Sequence, residues 1–166
     1  TFAERGLGVS KTLGDLAGPM SFAVLMGSAR AFYGKLGDRI DLDHFMVGSG
    51  ILCVLSYLCI SLSPSPVFSP VGCAVCGLSV GIMWPGSFSK GAALIKNGGT
   101  AMFALLALAG DLGCSGGPTL VGYVSSMASD DLKKGILAAV IFPVLLVAGV
   151  LFSGRFKVHH VTGMEK

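Results

Sequence analysis

Gly135-Ile-Leu-Ala-Ala-Val-Ile-Phe-Pro-Val-Leu-Leu-Val-Ala-Gly-Val-Leu-Phe152 runs for 18 residues without a charged side chain. A helix needs about 20 mostly apolar residues to cross a bilayer, so this stretch reads as a membrane span. Its Phe, Leu and Val side chains read as lipid-facing from Leu137 onward, with Pro143 as a kink. Working back toward the N-terminus, Pro, Gly and charge clusters set off four more such stretches. The five expected spans are roughly Leu13–Leu36, Phe45–Leu62, Val67–Ile95, Thr100–Met127 and Gly135–Phe152, the third and fourth long enough to run past the bilayer.

Composition agrees with that reading. Of 166 residues, 52% are hydrophobic and 13% charged, and the mean hydropathy is +0.77; a soluble domain carries about 25% charged residues. The 25 Gly read as close approach of helix backbones. The expected fold class is an all-α membrane protein, a bundle of about five transmembrane helices. Ser63-Pro-Ser-Pro-Val-Phe-Ser-Pro70, Lys96-Asn-Gly-Gly99 and Ser129-Asp-Asp-Leu-Lys-Lys134 are the turns between later spans. Turns this short make consecutive helices antiparallel neighbours.

A net charge of +3 is too small and scattered for nucleic acid. It serves instead to orient the chain. Lys35, Arg39, Lys90, Lys96, Arg155, Lys157 and Lys166 lie on one side, and Arg5, Lys11, Lys133 and Lys134 on the other, seven against four. The richer side is expected to be cytoplasmic, with the C-terminal tail. Cys53, Cys59, Cys73, Cys76 and Cys114 all sit in apolar stretches without metal-site spacing, and Cys73-Ala-Val-Cys76 reads as packing rather than redox chemistry. The chain opens on Thr1 and a polar segment to Lys11 with no signal-peptide pattern, which reads as a fragment.

Two motifs carry a resemblance. Gly34-Lys-Leu-Gly-Asp-Arg39 joins Gly, Asp and Arg to the end of the first span. It resembles the major facilitator superfamily loop G-x-L-[AS]-D-[RK]-x-G-[RK]-[RK], with Gly34, Leu36, Asp38 and Arg39 in place. Gly37 replaces Ala or Ser, and Asp41, Leu42 and Asp43 replace the last Gly and two bases. In Gly110-Asp-Leu-Gly-Cys-Ser-Gly-Gly-Pro-Thr-Leu-Val-Gly122, the residues Gly113, Gly117, Pro118 and Gly122 resemble the family's G-x-x-x-G-P-x-x-x-G in its fifth and eleventh helices. Gly at that spacing lets helices approach, and Pro118 bends the span. If the first span is the family's eighth helix, the fourth is its eleventh, so both motifs fall in register.

The resemblance implies most of the C-terminal half of such a transporter, from the eighth to the twelfth helix. Residues 1–12 would be an outer-loop remnant, 13–152 the bundle and 153–166 a cytoplasmic tail. It further implies that Gly34, Asp38 and Arg39 gate the transport cycle against a missing N-terminal half of the same protein.

Three polar or aromatic positions are candidates for the solute site. Asp111 lies about 13 residues into its span, or roughly 20 Å deep at 1.5 Å per residue, where an acid is expensive and serves substrate or proton binding; the alternative is a structural acid paired with a neighbouring helix. Arg30 either binds an anionic group in a cavity or snorkels to the inner headgroups. Trp84, in Gly81-Ile-Met-Trp-Pro-Gly86, offers a flat face beside an interrupted helix, or simply packs on a kink. Lys90 reads as snorkelling, and Asp15 as lying at the outer mouth. His159-His160 has no partner ligands, and no nucleotide, metal or nucleophile motif appears.

The expected function is secondary transport of a small organic solute, possibly a sugar or organic anion, by alternating access in the plasma membrane. No enzyme activity and no cofactor is expected. The expected partners are the solute, the bilayer and the missing half. A non-transporting structural or receptor-like subunit is the alternative. A membrane enzyme fits less well, since Asp15, Asp38 and Asp111 fall at three depths.

Overall fold

The computed structural model of the chain describes residues 11–63, 68–95 and 97–162; side chains at 11–17, 38, 69 and 154–162 lie outside the description. Every described element is helical: α1 Lys11–Leu36, a 3-10 turn Gly37–Arg39, α2 Leu42–Leu62, α3 Phe68–Val80, α4 Met83–Leu94, α5 Gly99–Met127, α6 Leu132–Ala138 and α7 Ile141–Thr162.

The four stretches long and apolar enough to cross a membrane are Leu42–Leu62, Pro70–Leu94, Gly99–Met127 and Leu132–Ser153, so the chain is a multi-pass membrane protein. Helix α1 is not among them. It has 26 residues, about 39 Å of helix, but Gly14, Gly18, Gly27, Gly34, Ser21, Ser28 and Arg30 dilute its apolar content. At 29 residues, about 43 Å, α5 exceeds a hydrocarbon core of about 30 Å.

Two of the spans are broken, each by a proline. Pro85 and Pro143 have no N–H for the carbonyls four residues earlier, Gly81 and Ala139, and their rings crowd those carbonyls. The helix accordingly stops at Val80 and resumes at Met83, and stops again at Ala138 and resumes at Ile141. The third span, expected over Val67–Ile95 with an interruption at Pro85, is thus two helices. Pro70 lies in the first turn of α3, not in a connecting turn, because a proline there costs no helical hydrogen bond. Helix α7 continues through Thr162, so the segment from 153 to 162 extends the last helix beyond its span, which ends at Ser153.

Helix α2 is central: α3 and α4 pack on it from one direction, α6 and α7 also contact it, α1 lies on α3, and α5 lies chiefly along α6. The interior is built from small or flexible side chains. Met46 (1% exposed), Ser79 (1%) and Ile82 (2%) are the most deeply buried, as fits helices associating by close packing in lipid. The closest approach is at α1 and α3, where a Cβ on Gly77 would run into the Phe22 backbone, and one on Gly81 would lie 2.8 Å from the Ala29 Cβ. Gly77-Leu-Ser-Val-Gly81 is therefore the glycine pair that joins helices, and the sequence reading passed over it.

Polar ties fasten the ends. Asp41 caps α2 by accepting from the backbone N–H of Asp43 (2.8 Å) and His44 (3.4 Å). Lys90, in the second half of α4, donates to Asp43 Oδ1 at 2.6 Å and to the Val150 carbonyl at 3.4 Å. It is held by an ion pair to α2 and a hydrogen bond to α7 rather than snorkelling outward, because the fold brings the start of α2 against the second half of α4. At the opposite end, Lys133 Nζ donates to the Ser63 carbonyl at 2.7 Å.

Candidate functional site

The break between α3 and α4 draws together two of the expected site residues. Because Pro85 cannot donate to the Gly81 carbonyl, that oxygen needs another donor inside the membrane, where an unpaired backbone group costs several kcal/mol. Arg30 supplies it: Nε on α1 donates to Gly81 O at 3.0 Å. The guanidinium thus fills the gap that the proline leaves. The Arg30 residue as a whole remains exposed, so this bond does not consume its donor set, which offers five N–H groups.

Three residues on, Trp84 is 57% exposed and begins an aromatic row. Its ring lies 4.3 Å from Phe88 at 41°, and Phe88 lies 5.8 Å from Phe103 at 15°, which carries the row from α4 to α5. The row leans closely on α5 because residue 110 is Gly: a Cβ there would lie 3.3 Å from Trp84 Nε1. The next residue is Asp111.

Asp111 is exposed on α5, and its carboxylate meets no hydrogen bond or ion pair among the described residues. The pairing alternative for this acid therefore finds no partner among them. Only its backbone carbonyl is engaged, accepting from Ser115 Oγ at 3.0 Å. Ser115, Gly116 and Thr119 then line a shallow cavity of about 490 Å³ along the same helix. Gly113, Gly117 and Gly122 face open space, with no heavy atom within 4 Å of a Cβ built on them. Pro118 is also exposed. These motif residues do not join α5 to another described helix; α5 is instead held at its ends, by α6 and α4.

The turn motif is partly in view. Gly34 is exposed in the last turn of α1, Arg39 is exposed at the end of the 3-10 turn, and the Asp38 side chain lies outside the described residues, as does that of Asp15. Gly37, the departure from the family pattern, has a local reason. A Cβ there would lie 3.2 Å from the Tyr33 ring, which itself packs on Phe45 at 5.3 Å. His159 and His160 lie in α7 with their side chains outside the description.

Arg30 on α1 and Trp84 on α4 thus meet the same helix break at positions three residues apart, and Trp84 borders Gly110, the neighbour of Asp111, on α5. No group of three or more potential metal ligands occurs among the described residues. The sequence reading missed that Arg30 and Pro85 act on one carbonyl; the i−4 relation of Pro85 to Gly81 was the available signal. No protein-family model, curated protein or solved structure matches the chain.

Proposed function

We propose that the chain is most of the C-terminal half of a secondary transporter of the major facilitator type, moving a small organic solute across the plasma membrane. The observation that carries this reading is the broken third span. Secondary transporters bind their cargo near the bilayer midplane at interrupted helices, where freed backbone groups line a cavity. At the break between α3 and α4, a freed carbonyl is met by Arg30 and flanked by the exposed Trp84.

In this reading the indole stacks against a sugar ring or other flat solute, the remaining N–H groups of Arg30 take an anionic group, and Asp111 carries a coupling proton or a polar contact. The exposed face of α5 borders the translocation path, whose other wall belongs to a second bundle. The Gly34–Arg39 turn gates access through Asp38 and Arg39, as the resemblance implies, with the tail in the cytoplasm.

The test is uptake into proteoliposomes by the full product of the gene, screened over sugars and organic anions under an imposed proton gradient. Uptake that collapses in Asp111→Asn while counterflow exchange persists supports coupling at that carboxylate. Full gradient-driven accumulation by Asp111→Asn would remove it. A non-transporting subunit is the second reading, favoured by the open space beside Gly113, Gly117 and Gly122, as an assembly surface would have. Silence over the whole solute panel, with a stable partner co-purifying, would put that reading ahead.

A further inference from the structure

Between α1 and α2, toward the end that carries Lys35 and Arg39, lies a cavity of about 630 Å³. It falls within the range of about 300–1,000 Å³ typical of ligand sites. Ser28 and Ala29 on α1, with Gly48 and Ser49 on α2, contribute little bulk and leave the space. Phe32, Phe45, Leu52 and Leu78 give it apolar surface. From His44 to Leu52 the groove follows eight residues of α2, or about 12 Å into the span.

Its mouth is basic. His44 lines it with a side chain 89% exposed; Lys35 lies one helical turn beyond Phe32 on the same face of α1; Arg39 is exposed in the connecting turn. The nearby acids with described side chains are already engaged. Asp43 is paired with Lys90 at 2.6 Å, and Asp41 is held on the first amides of α2, with its second oxygen 3.4 Å from His44 Nδ1. An apolar slot between two helices, with cations at headgroup level, matches one membrane component in both halves of its chemistry.

We propose that this groove is a binding site for an anionic phospholipid: one acyl chain lies between α1 and α2, and the phosphate sits among Lys35, Arg39 and His44. This goes beyond the transport reading and is independent of it. A basic residue at the membrane surface is worth about 1 kcal/mol toward an anionic lipid, so Lys35 and Arg39 together favour phosphatidylglycerol over phosphatidylcholine by about thirtyfold.

Native mass spectrometry of the purified full gene product, supplied with phosphatidylglycerol or phosphatidylcholine of identical acyl chains, tests the proposal. One retained phosphatidylglycerol per chain is expected, at about thirtyfold preference. Lys35→Gln with Arg39→Gln should abolish the preference while leaving some retention of either lipid. Gly48→Leu should cost retention of both lipids with the helical circular dichroism unchanged, because a Cβ at Gly48 meets nothing within 4 Å. Ser28→Leu narrows the same slot from the facing helix, and should act alike. Equal retention of the two lipids by wild type, or retention unaffected by both Gly48→Leu and Ser28→Leu, would overturn the proposal. So would a dimer that Gly48→Leu dissolves, since a second copy would then own the groove.

Discussion

If Arg30 replaces the helical donor that Pro85 lacks, the two residues must be energetically coupled although they lie on different helices. A hydrogen bond from a charged donor contributes about 1.5–3 kcal/mol, and interhelical bonds in membranes average about 0.6 with a maximum near 1.7 kcal/mol. For a 3.0 Å bond from an exposed arginine, we expect about 1 kcal/mol. Arg30→Met alone cannot measure it, because removing a guanidinium from the membrane also relieves an insertion cost of about 2.5–3.5 kcal/mol. That term is common to two backgrounds and cancels in a double-mutant cycle. In Pro85→Ala, the new Ala N–H can meet the Gly81 carbonyl, so Arg30→Met should cost about 1 kcal/mol less there than in wild type. Reversible unfolding in mixed micelles by titration with sodium dodecyl sulfate, followed by far-ultraviolet circular dichroism, gives the four free energies. Costs equal in the two backgrounds to within about 0.3 kcal/mol would mean that Arg30 does not stand in for the donor that Pro85 lacks.

Other outcomes follow from the same geometry. Gly77→Ala drives a Cβ into the Phe22 backbone and should destabilise by about 1–3 kcal/mol, whereas Gly113→Ala, with open space around it, should stay within about 0.5 kcal/mol; the same titration compares them. Gly110→Ala should shift the fluorescence of Trp84, the single tryptophan of the chain, by pressing on its indole; an unchanged spectrum would mean the ring does not lean on α5. Lys90→Met strands Asp43, in a pair whose side chains are 13% and 33% exposed, and should cost about 1–3 kcal/mol. The exchanged pair Lys90→Asp with Asp43→Lys should recover part of that loss. Asp41 is held below the usual carboxylate range by the backbone N–H of Asp43 and then of His44. Its capping advantage over Asp41→Ala is therefore whole above the unfolded Asp pKa, about 3.9, and lost as pH falls through its lower folded value; a stability difference constant down to pH 2 would contradict this.

Hydropathy was enough to find four of the five expected spans, of which the uncharged run Leu137–Phe152 is the plainest, while α1 is too diluted by Gly, Ser and Arg30 to stand with them. The breaks were half legible. Pro85 between glycines marked an interruption, yet nothing local says that the donor for the Gly81 carbonyl comes from Arg30, 51 residues earlier. Lys90 was read as snorkelling because its partner Asp43 is 47 residues away in the chain, and only tertiary packing brings them together. Glycine spacing did not show which glycines close on a neighbour in this bundle: the family-like series Gly113, Gly117 and Gly122 meets no described helix, while the pair at Gly77 and Gly81 closes α1 on α3. With 25 glycines in the chain, spacing cannot tell which face meets a neighbour. For Asp111 the place along its helix was readable, but its exposed setting on α5 came from the fold.

In the proposed transporter the exposed face of α5 borders a water-filled translocation path, and Cys114 can report on it directly. It is the one exposed cysteine, lying a turn from Asp111, while Cys53, Cys59, Cys73 and Cys76 are buried or half-buried and can be replaced by Ala. The measurement is the rate at which a charged, membrane-impermeant methanethiosulfonate modifies Cys114 in membrane vesicles carrying the full gene product. Rapid modification in intact vesicles is the predicted result. Modification that begins only after detergent dissolves the membrane would place that face against lipid or protein and contradict the account.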